Sequence, residues 1–466
     1  MTVSKSQIEG HIYFLTDDLL KGRETGTPEN KIAASYLANT LRTYGAKPNP
    51  KTGTYLQEVH LTKTSPPKNI SLSINGKEYK NRVAVKATKI NYTDDAVFLG
   101  YGLAEDYKGK NVKGKVIIIN GGNPEGQSVR FAYGLRKDKE KLALENGVSG
   151  IIEFMKAPDN IWGFIEHNFN GNRLSVASEK EDSKEKNKLS YVWIQDEDGS
   201  ISEGISLNKN LEVSLKMDNQ ITEAVLSQNV IGVIEGTDPT LKNEYIIYSA
   251  HYDHVGIGKP DKTGDSIYNG ARDNAIGTTT VLSMAQNLAK YPTKRSALFI
   301  LFTGEEKGLL GSEFYVENPV LPLNQMVYCF NSDNGEYNDT SLATIIGLDR
   351  TTASKNIKDA VATFGLTAIE DPAPEQGLFD RSDNVHFAKK GIPAPTFSLR
   401  FTSFDGDVTK YYHQASDEAD TLDFDYLFKF FKAYVLSGRN IANDPITPFW
   451  VESDKYEEVG KELYKQ

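Results

Sequence analysis

Two adjacent glutamates, Glu305 and Glu306, have the residue types and spacing that most directly suggest chemistry, and they follow the apolar run 297–302. Neighbouring side chains project in different directions, so one carboxylate can hold a metal ion while the other accepts a proton from an attacking water molecule. Such a pair near a helix N-terminus is also favoured by the helix dipole alone. The pair therefore indicates a metal-dependent hydrolase only if other ligands accompany it.

A histidine and an aspartate supply the first of these ligands after another apolar run, 245–250. His251 and Asp253 are two residues apart, so they face the same side of an extended chain. Asp253 can then accept a hydrogen bond from the ring nitrogen of His251 that is turned away from a metal ion, which would fix the orientation of the ring. His254 fits this geometry less well, and we expect it to be structural.

Three further candidate ligands also lie at boundaries between predicted elements. Asp273 precedes a predicted helix and can either bridge two cations or cap that helix. Asp333 follows a predicted strand, and His413 precedes an acidic stretch. Active sites of open α/β sheets gather at the carboxyl ends of the strands. Together with the residues above, these three form a mixed nitrogen and oxygen ligand set that suits zinc, with cobalt or manganese as alternatives.

The elements that must position these residues form an α/β pattern in the second half of the chain. Strands alternate with helices there, which predicts a mixed β-sheet flanked by helices. The predicted strands are 229–234, 245–250, 297–302, 326–330 and 396–399, and the predicted helices are 278–290 and 424–436.

The remainder of the chain predicts a second, smaller module. A helix over 28–44, with Thr27 as its N-cap, belongs to an N-terminal helical pair. Short β-like runs between 91 and 227 predict an inserted α/β domain. The predicted organisation is residues 1–90 as the N-terminal part of the main domain, 91–227 as the insertion and 228–466 as the main domain with the metal site.

Composition excludes several classes of partner. A chain of 466 residues, 39% of them hydrophobic, can bury a large core. Lys and Arg total 53 against 63 Asp and Glu, a net charge of −10, and the scattered basic residues argue against nucleic acid as a partner. We expect no membrane span and no signal peptide, because no apolar run is long enough and the first residues are polar. Cys329 is the only cysteine, so no intramolecular disulfide can form.

The order of these motifs resembles the M28-type di-zinc aminopeptidases that carry an inserted protease-associated (PA) domain. The segments that match are 251–256, 264–277, 305–312, 331–333, 381–383, 391–393 and 412–413. The resemblance implies the zinc-dependent exopeptidase fold, which is phosphorylase/hydrolase-like, with the PA domain as the insertion.

The resemblance also implies a cofactor of two Zn²⁺ ions per chain and a division of the ligands between them. Asp273 would bridge both ions, His251 and Asp333 would complete one site, and Glu306 and His413 would complete the other. A cis peptide bond directly after the bridging aspartate would follow from the same resemblance.

Catalytic and substrate-binding roles are implied in the same way. Glu305 would be the general base and acid, Asp253 would orient the metal-binding histidine, and Tyr412 would help to stabilise the tetrahedral intermediate. Arg381 and Asp383 would lie on the substrate side.

The implied function is hydrolysis of N-terminal residues from peptides or proteins. A single-zinc enzyme like glutaminyl cyclase and a non-catalytic, receptor-like binding protein are the alternatives. The resemblance implies a secreted or periplasmic protein, with the cytoplasm as the alternative location. No pattern in the sequence specifies an oligomeric state or the preferred substrate side chain.

Overall fold

A computed structural model of the protein describes residues 2–177, 189–208, 210–334, 338–399 and 406–465. Within these ranges the α-helices are α1 (Lys5–Leu15), α2 (Pro28–Tyr44), α3 (Val129–Glu145), α4 (Asp159–Asn170), α5 (Ser200–Ser206), α6 (Gly277–Lys290), α7 (Leu310–Glu317), α8 (Ser354–Ala362), α9 (Asn384–Lys389), α10 (Gly406–Tyr411), α11 (Phe424–Asn443) and α12 (Glu457–Tyr464).

The strands, in chain order, are β1 (Lys47–Pro48), β2 (Leu56–Ser65), β3 (Ile70–Ile74), β4 (Lys77–Glu78), β5 (Arg82–Lys86), β6 (Ile90–Phe98), β7 (Val116–Asn120), β8 (Gly150–Met155), β9 (Arg173–Val176), β10 (Ser190–Gln195), β11 (Leu211–Met217), β12 (Ile221–Ile234), β13 (Tyr245–His251), β14 (Gly256–Ile257), β15 (Ile267–Tyr268), β16 (Ser296–Phe302), β17 (Met326–Ser332), β18 (Leu342–Ile346), β19 (Thr367–Ile369) and β20 (Thr396–Ser398).

The chain divides into two compact units, residues 1–60 with 226–466 and residues 61–225. The first unit is built on a mixed sheet with the strand order β19-β18-β20-β17-β13-β16-β12-β2. Its central strands β16, β13, β17 and β20 are mutually parallel, whereas β12 pairs antiparallel with β16 and β18 pairs antiparallel with β20. The predicted mixed sheet flanked by helices is thus confirmed.

Burial on both faces explains why the central strands are continuous apolar runs. Every residue of β16 is buried, because one face of the sheet packs with α2, α6 and α11 and the other with α7 and α9. A parallel strand covered on both faces needs apolar side chains at every position. Cys329 is buried in the neighbouring strand β17, as expected for an apolar run.

Helix α2 begins and ends where local signals predict. The Thr27 hydroxyl accepts a hydrogen bond from the backbone N–H of Asn30, Pro28 occupies the first turn, and Gly45 ends the helix with a φ of 93°. These signals are local in sequence, so the predicted bounds 28–44 are confirmed.

The second unit contains a sheet with the strand order β4-β3-β11-β6-β7-β8-β10-β5, in which β6, β7, β8 and β10 are parallel. It starts at residue 61, earlier than the insertion predicted at 91–227, and residues 61–90 contribute its strands β3 to β5. No helix in the described part of the chain is long and apolar enough to cross a membrane.

Candidate active site

Three parallel neighbours in the first unit, β13, β16 and β17, end at the same edge of the sheet. His251 is the last residue of β13 and pairs in register with Phe302, the last residue of β16. Glu305 follows β16 after a tight turn, and Asp333 comes directly after β17. Parallel alignment therefore gathers candidate ligands that are far apart in sequence.

Asp273 lies between two groups of these ligands and turns one carboxylate oxygen to each. Its Oδ1 is 3.3 Å from His251 Nε2, which is also 3.3 Å from Asp333 Oδ1. Its Oδ2 is 3.3 Å from His413 Nε2, which is 3.1 Å from Glu306 Oε2. The structure thus brings together all five residues that the sequence nominated as ligands.

The spacing of these atoms fits metal coordination. Ligands at the usual 2.0–2.2 Å from a tetrahedral zinc lie roughly 3.3–3.6 Å from one another. The nitrogen and oxygen distances at Asp273 are close to that range. The donor set is also the imidazole and carboxylate mixture that zinc binds.

The charges at the site also fit a cation. Although burial acts in the opposite direction, the carboxylates of Asp273 and Glu306 raise the pKa of His413 to about 10. Burial also acts to lower the pKa of His251, but the carboxylates of Glu305 and Asp333 outweigh it and raise that pKa well above its usual value. The raised pKa values of both histidines reflect the negative charge of the surrounding carboxylates, which a bound cation would also neutralise.

Glu305 belongs to the group around His251. Its carboxylate lies within 4.8 Å of the ligand atoms of His251 and Asp333. Burial, followed by the nearby negative charges of Asp333 and Glu306, raises the pKa of Glu305 well above that of an ordinary glutamate, although the charge of His251 acts the other way. A carboxyl group with a raised pKa can both accept and return a proton near neutral pH.

Asp253 connects His251 to Glu305. The Nδ1 of His251 lies 3.1 Å from the backbone carbonyl of Asp253, to which only the nitrogen can donate, and 3.8 Å from the Asp253 carboxylate. That carboxylate accepts hydrogen bonds from the Thr25 hydroxyl at 2.8 Å and from the backbone N–H of Glu305 at 3.2 Å. The two contacts of His251 Nδ1 with Asp253 turn the Nε2 of the same ring toward the cluster.

His254 also lies in the cluster, although the sequence favoured a structural role. Its Nδ1 is 2.6 Å from Glu306 Oε1, and it joins Asp273, Glu306 and His413 in one group of possible ligands. The side chain is fully buried, and its Nε2 has no hydrogen-bond partner among the described residues. The sequence indicated a role for His254 in the site only through its position next to the pair His251 and Asp253. The period-two geometry of an extended chain, however, turns the His254 side chain away from theirs.

The turn that carries Asp273 is fixed by Asp417. The Asp417 carboxylate accepts hydrogen bonds from the backbone N–H of Arg272 at 2.9 Å and of Asp273 at 3.3 Å, and from the Arg272 guanidinium at 3.0 Å. The Arg272 guanidinium also stacks on Tyr411, 3.9 Å from the ring centre. The peptide bond between Asp273 and Asn274 is cis, as the resemblance implied.

Tyr412 packs flat against His413, with 4.1 Å between the ring centres. Burial, and then the charges of Asp273 and Glu306, raise the pKa of the Tyr412 hydroxyl well above its usual value. The hydroxyl therefore stays protonated and can act as a hydrogen-bond donor.

The two residues expected on the substrate side lie in different environments. Arg381 is exposed, and its positive charge acts to lower the pKa of the Tyr412 hydroxyl. Asp383 is completely buried, and neither of its carboxylate oxygens has a hydrogen-bond partner among the described residues. Burial raises the pKa of Asp383 to about 7, with smaller contributions from the charges of Asp333 and Asp253, although the charge of His251 acts the other way.

Comparisons with known proteins agree with this arrangement. Residues 229–435 match the model of Peptidase family M28. The chain is 26% identical to aminopeptidase YwaD of Bacillus subtilis (strain 168), over 79% of this chain and 68% of that protein. It is 24% identical to the probable leucine aminopeptidase 2 of Aspergillus oryzae, over 92% of this chain and 84% of that protein.

The fold is also found among solved structures. The aminopeptidase from Aneurinibacillus sp. strain AM-1 superposes with a TM-score of 0.63 at 20% identity, over 97% of each chain. The fold and the site together define a hydrolase of the metal-dependent α/β class. The match to Peptidase family M28 covers residues 229–435, and together with the aminopeptidase relatives it supports a peptide hydrolase.

Proposed function

We propose that this protein is an aminopeptidase that removes N-terminal residues from peptides or proteins and that it binds two zinc ions. His251, Asp273 and Asp333 would hold one ion, and Asp273, Glu306 and His413 would hold the other. The observation that carries the proposal is the carboxylate of Asp273, whose two oxygens each lie 3.3 Å from a different histidine. The relatives from B. subtilis and A. oryzae, both named as aminopeptidases, support it.

The chain's own residues supply the proton transfers. A bound pair of zinc ions supplies Lewis-acid polarisation of the scissile carbonyl and lowers the pKa of water. Glu305 takes a proton from the attacking water and returns it to the leaving amine, a role that its raised pKa supports. The hydrogen bond from the backbone of Glu305 to Asp253 keeps the base beside His251.

Developing negative charge on the carbonyl oxygen needs a donor that is already in place. The protonated Tyr412 hydroxyl, held by the stacking of its ring on His413, is the proposed donor. Arg381 would contact the substrate directly, because it is exposed beside Tyr412. Asp383, which is buried, would attract a protonated α-amine through the negative charge of its ionised form.

Paired substrates test the proposal. The purified protein is expected to contain about two zinc ions per chain and to cleave leucine p-nitroanilide but not its N-acetyl derivative. A Glu305→Gln variant prepared in parallel controls for contaminating peptidases. Equal cleavage of free and acetylated substrates would contradict an aminopeptidase. Cyclisation of an N-terminal glutamine with release of ammonia, without cleavage of leucine p-nitroanilide, would establish the cyclase instead.

A further inference from the structure

Arg23 is a fully buried cation outside the proposed ligand set, and its guanidinium spans two segments of the active site. Its Nε donates to the carbonyl of Tyr252 at 2.8 Å, and its Nη2 donates to the carbonyl of Gly270 at 3.2 Å. Its Nη1 donates to the carbonyls of Asn269, at 2.6 Å, and Leu15. All four acceptors are backbone carbonyls, so this side chain fixes the path of the main chain.

Two of these carbonyls belong to the segments that carry proposed ligands. Tyr252 directly follows His251 at the end of β13, and Gly270 opens the turn that contains Asp273. One rigid, planar group therefore ties both segments together. The distance of 3.3 Å between His251 Nε2 and Asp273 Oδ1 depends on the relative position of these segments.

The backbone around Arg23 takes a conformation that residues with a side chain rarely adopt. Lys21, Gly22 and Arg23 have successive φ values of 44°, 67° and 52°. A Cβ on Gly22 would lie 2.4 Å from the carbonyl oxygen of Tyr268 and 2.7 Å from that of Gly256. Left-handed φ at a residue other than glycine is energetically unfavourable and is concentrated at functional sites.

The charge of Arg23 complements that of the site. Burial lowers its pKa to about 10, whereas the carboxylates of Asp253, Asp273, Asp417 and Glu306 act in the opposite direction. The guanidinium is therefore still protonated at neutral pH. Its positive charge offsets part of the repulsion among carboxylates that are held close together.

We propose that Arg23 is a positioning residue that sets the separation of His251 and Asp273 and thereby the affinity of their shared cation position. This inference rests on the proposed function. A lysine would keep the charge but not the function, because its donors share a single nitrogen and cannot reach carbonyls on both segments in the geometry of the guanidinium fork.

Metal binding tests the proposal with variants Arg23→Met and Arg23→Lys. The matched control is Arg295→Met, since Arg295 is also fully buried and also donates to backbone carbonyls, those of Ile441 and Asp444. It precedes β16, at the opposite end of that strand from the proposed site. Affinity for Zn²⁺ is measured by competition with a chelator, and the visible spectrum of the Co²⁺-loaded protein reports coordination geometry.

The expected result is that both Arg23 variants bind one of the two zinc equivalents 10- to 100-fold more weakly and show an altered Co²⁺ spectrum. Arg295→Met should lower the melting temperature and leave the affinity and the spectrum unchanged. Wild-type affinity in folded Arg23→Met would overturn the proposal, and so would an equal loss of affinity in Arg295→Met.

Arg23→Lys decides the question if Arg23→Met does not fold. A Lys variant with wild-type affinity and spectrum would overturn the proposal. Failure of the proposed function would look different, because the wild-type protein would then bind neither Zn²⁺ nor Co²⁺ at two sites.

Discussion

His254 Nδ1 lies 2.6 Å from Glu306 Oε1, while the other carboxylate oxygen of Glu306 faces His413. The two oxygens of one carboxylate thus have different partners. A buried hydrogen bond of this kind fixes the orientation of a ligand and contributes to metal affinity. His254 is therefore a structural partner of the proposed second cation position, rather than of the protein core alone.

His254→Phe should weaken the binding of one zinc equivalent by 10- to 100-fold, because Glu306 loses the donor that orients it. Titration of the metal-free protein with Zn²⁺ measures this effect. His11→Phe is the matched control, since the ring of His11 is also hydrogen-bonded to oxygen, but its partners are the hydroxyls of Tyr36 and Tyr44, outside the cluster. Equal zinc affinity in the two variants would contradict the role assigned to His254.

The adjacent glutamates should differ in what they contribute. Glu305→Gln should keep both zinc ions and lose activity by at least 10²–10⁴-fold, because only the proton transfer is removed. Glu306→Gln should lose one zinc ion, because the amide is a weaker ligand than the carboxylate. Elemental analysis and turnover of leucine p-nitroanilide, measured on the same preparations, separate the two effects. Loss of metal in Glu305→Gln would contradict its assignment as the base.

Much of the main sheet could be predicted because its strands are local and apolar throughout. The run 297–302 differs by one residue from β16, and the helix 278–290 differs by one from α6. Ligands at strand ends follow from the same logic, since parallel strands end together. That rule alone was enough to predict that His251 and Asp333 lie close together.

Contacts between distant segments could not be predicted. Arg23 lies in the N-terminal helical region, but its acceptors belong to Tyr252 and Gly270, and no periodicity relates these positions. The same holds for His254 and Glu306, which meet because β13 and β16 are neighbours in the sheet.

Removal of zinc should destabilise the protein. The cluster holds several carboxylates that repel one another when no cation is present. Zinc at about 1,000 times its dissociation constant should stabilise the folded state by about 4 kcal/mol, since the ligands are assembled only there. Differential scanning calorimetry with zinc and with EDTA measures the shift in melting temperature. An identical melting temperature in both conditions would contradict a resident metal.

Lys139 in the second unit provides a test of stability apart from the active site. Its ammonium donates to Glu153 Oε1 at 2.6 Å, and both side chains are fully buried. Lys139→Met should destabilise the second unit by about 3–5 kcal/mol, because it leaves a buried carboxylate without its cation. Lys141→Met is the control on the same helix, since Lys141 is exposed and its ammonium comes no closer than 4.0 Å to the Glu145 carboxylate. Chemical denaturation monitored by tryptophan fluorescence should separate the two variants.

His11 should make stability depend on pH in a defined window. Burial lowers its pKa to about 4, and its ring contacts the hydroxyls of Tyr36 and Tyr44. The unfolded chain, with an ordinary pKa near 6.5, binds the proton more readily than the native state, so stability falls as the pH drops from about 6.5 to about 4. His11→Phe should remove this contribution, which is at most about 3 kcal/mol. The difference in unfolding free energy between wild type and variant is measured at pH 7 and pH 4.5 in zinc-free buffer and should decrease at the lower pH. A constant difference would show that folding does not lower the pKa of His11.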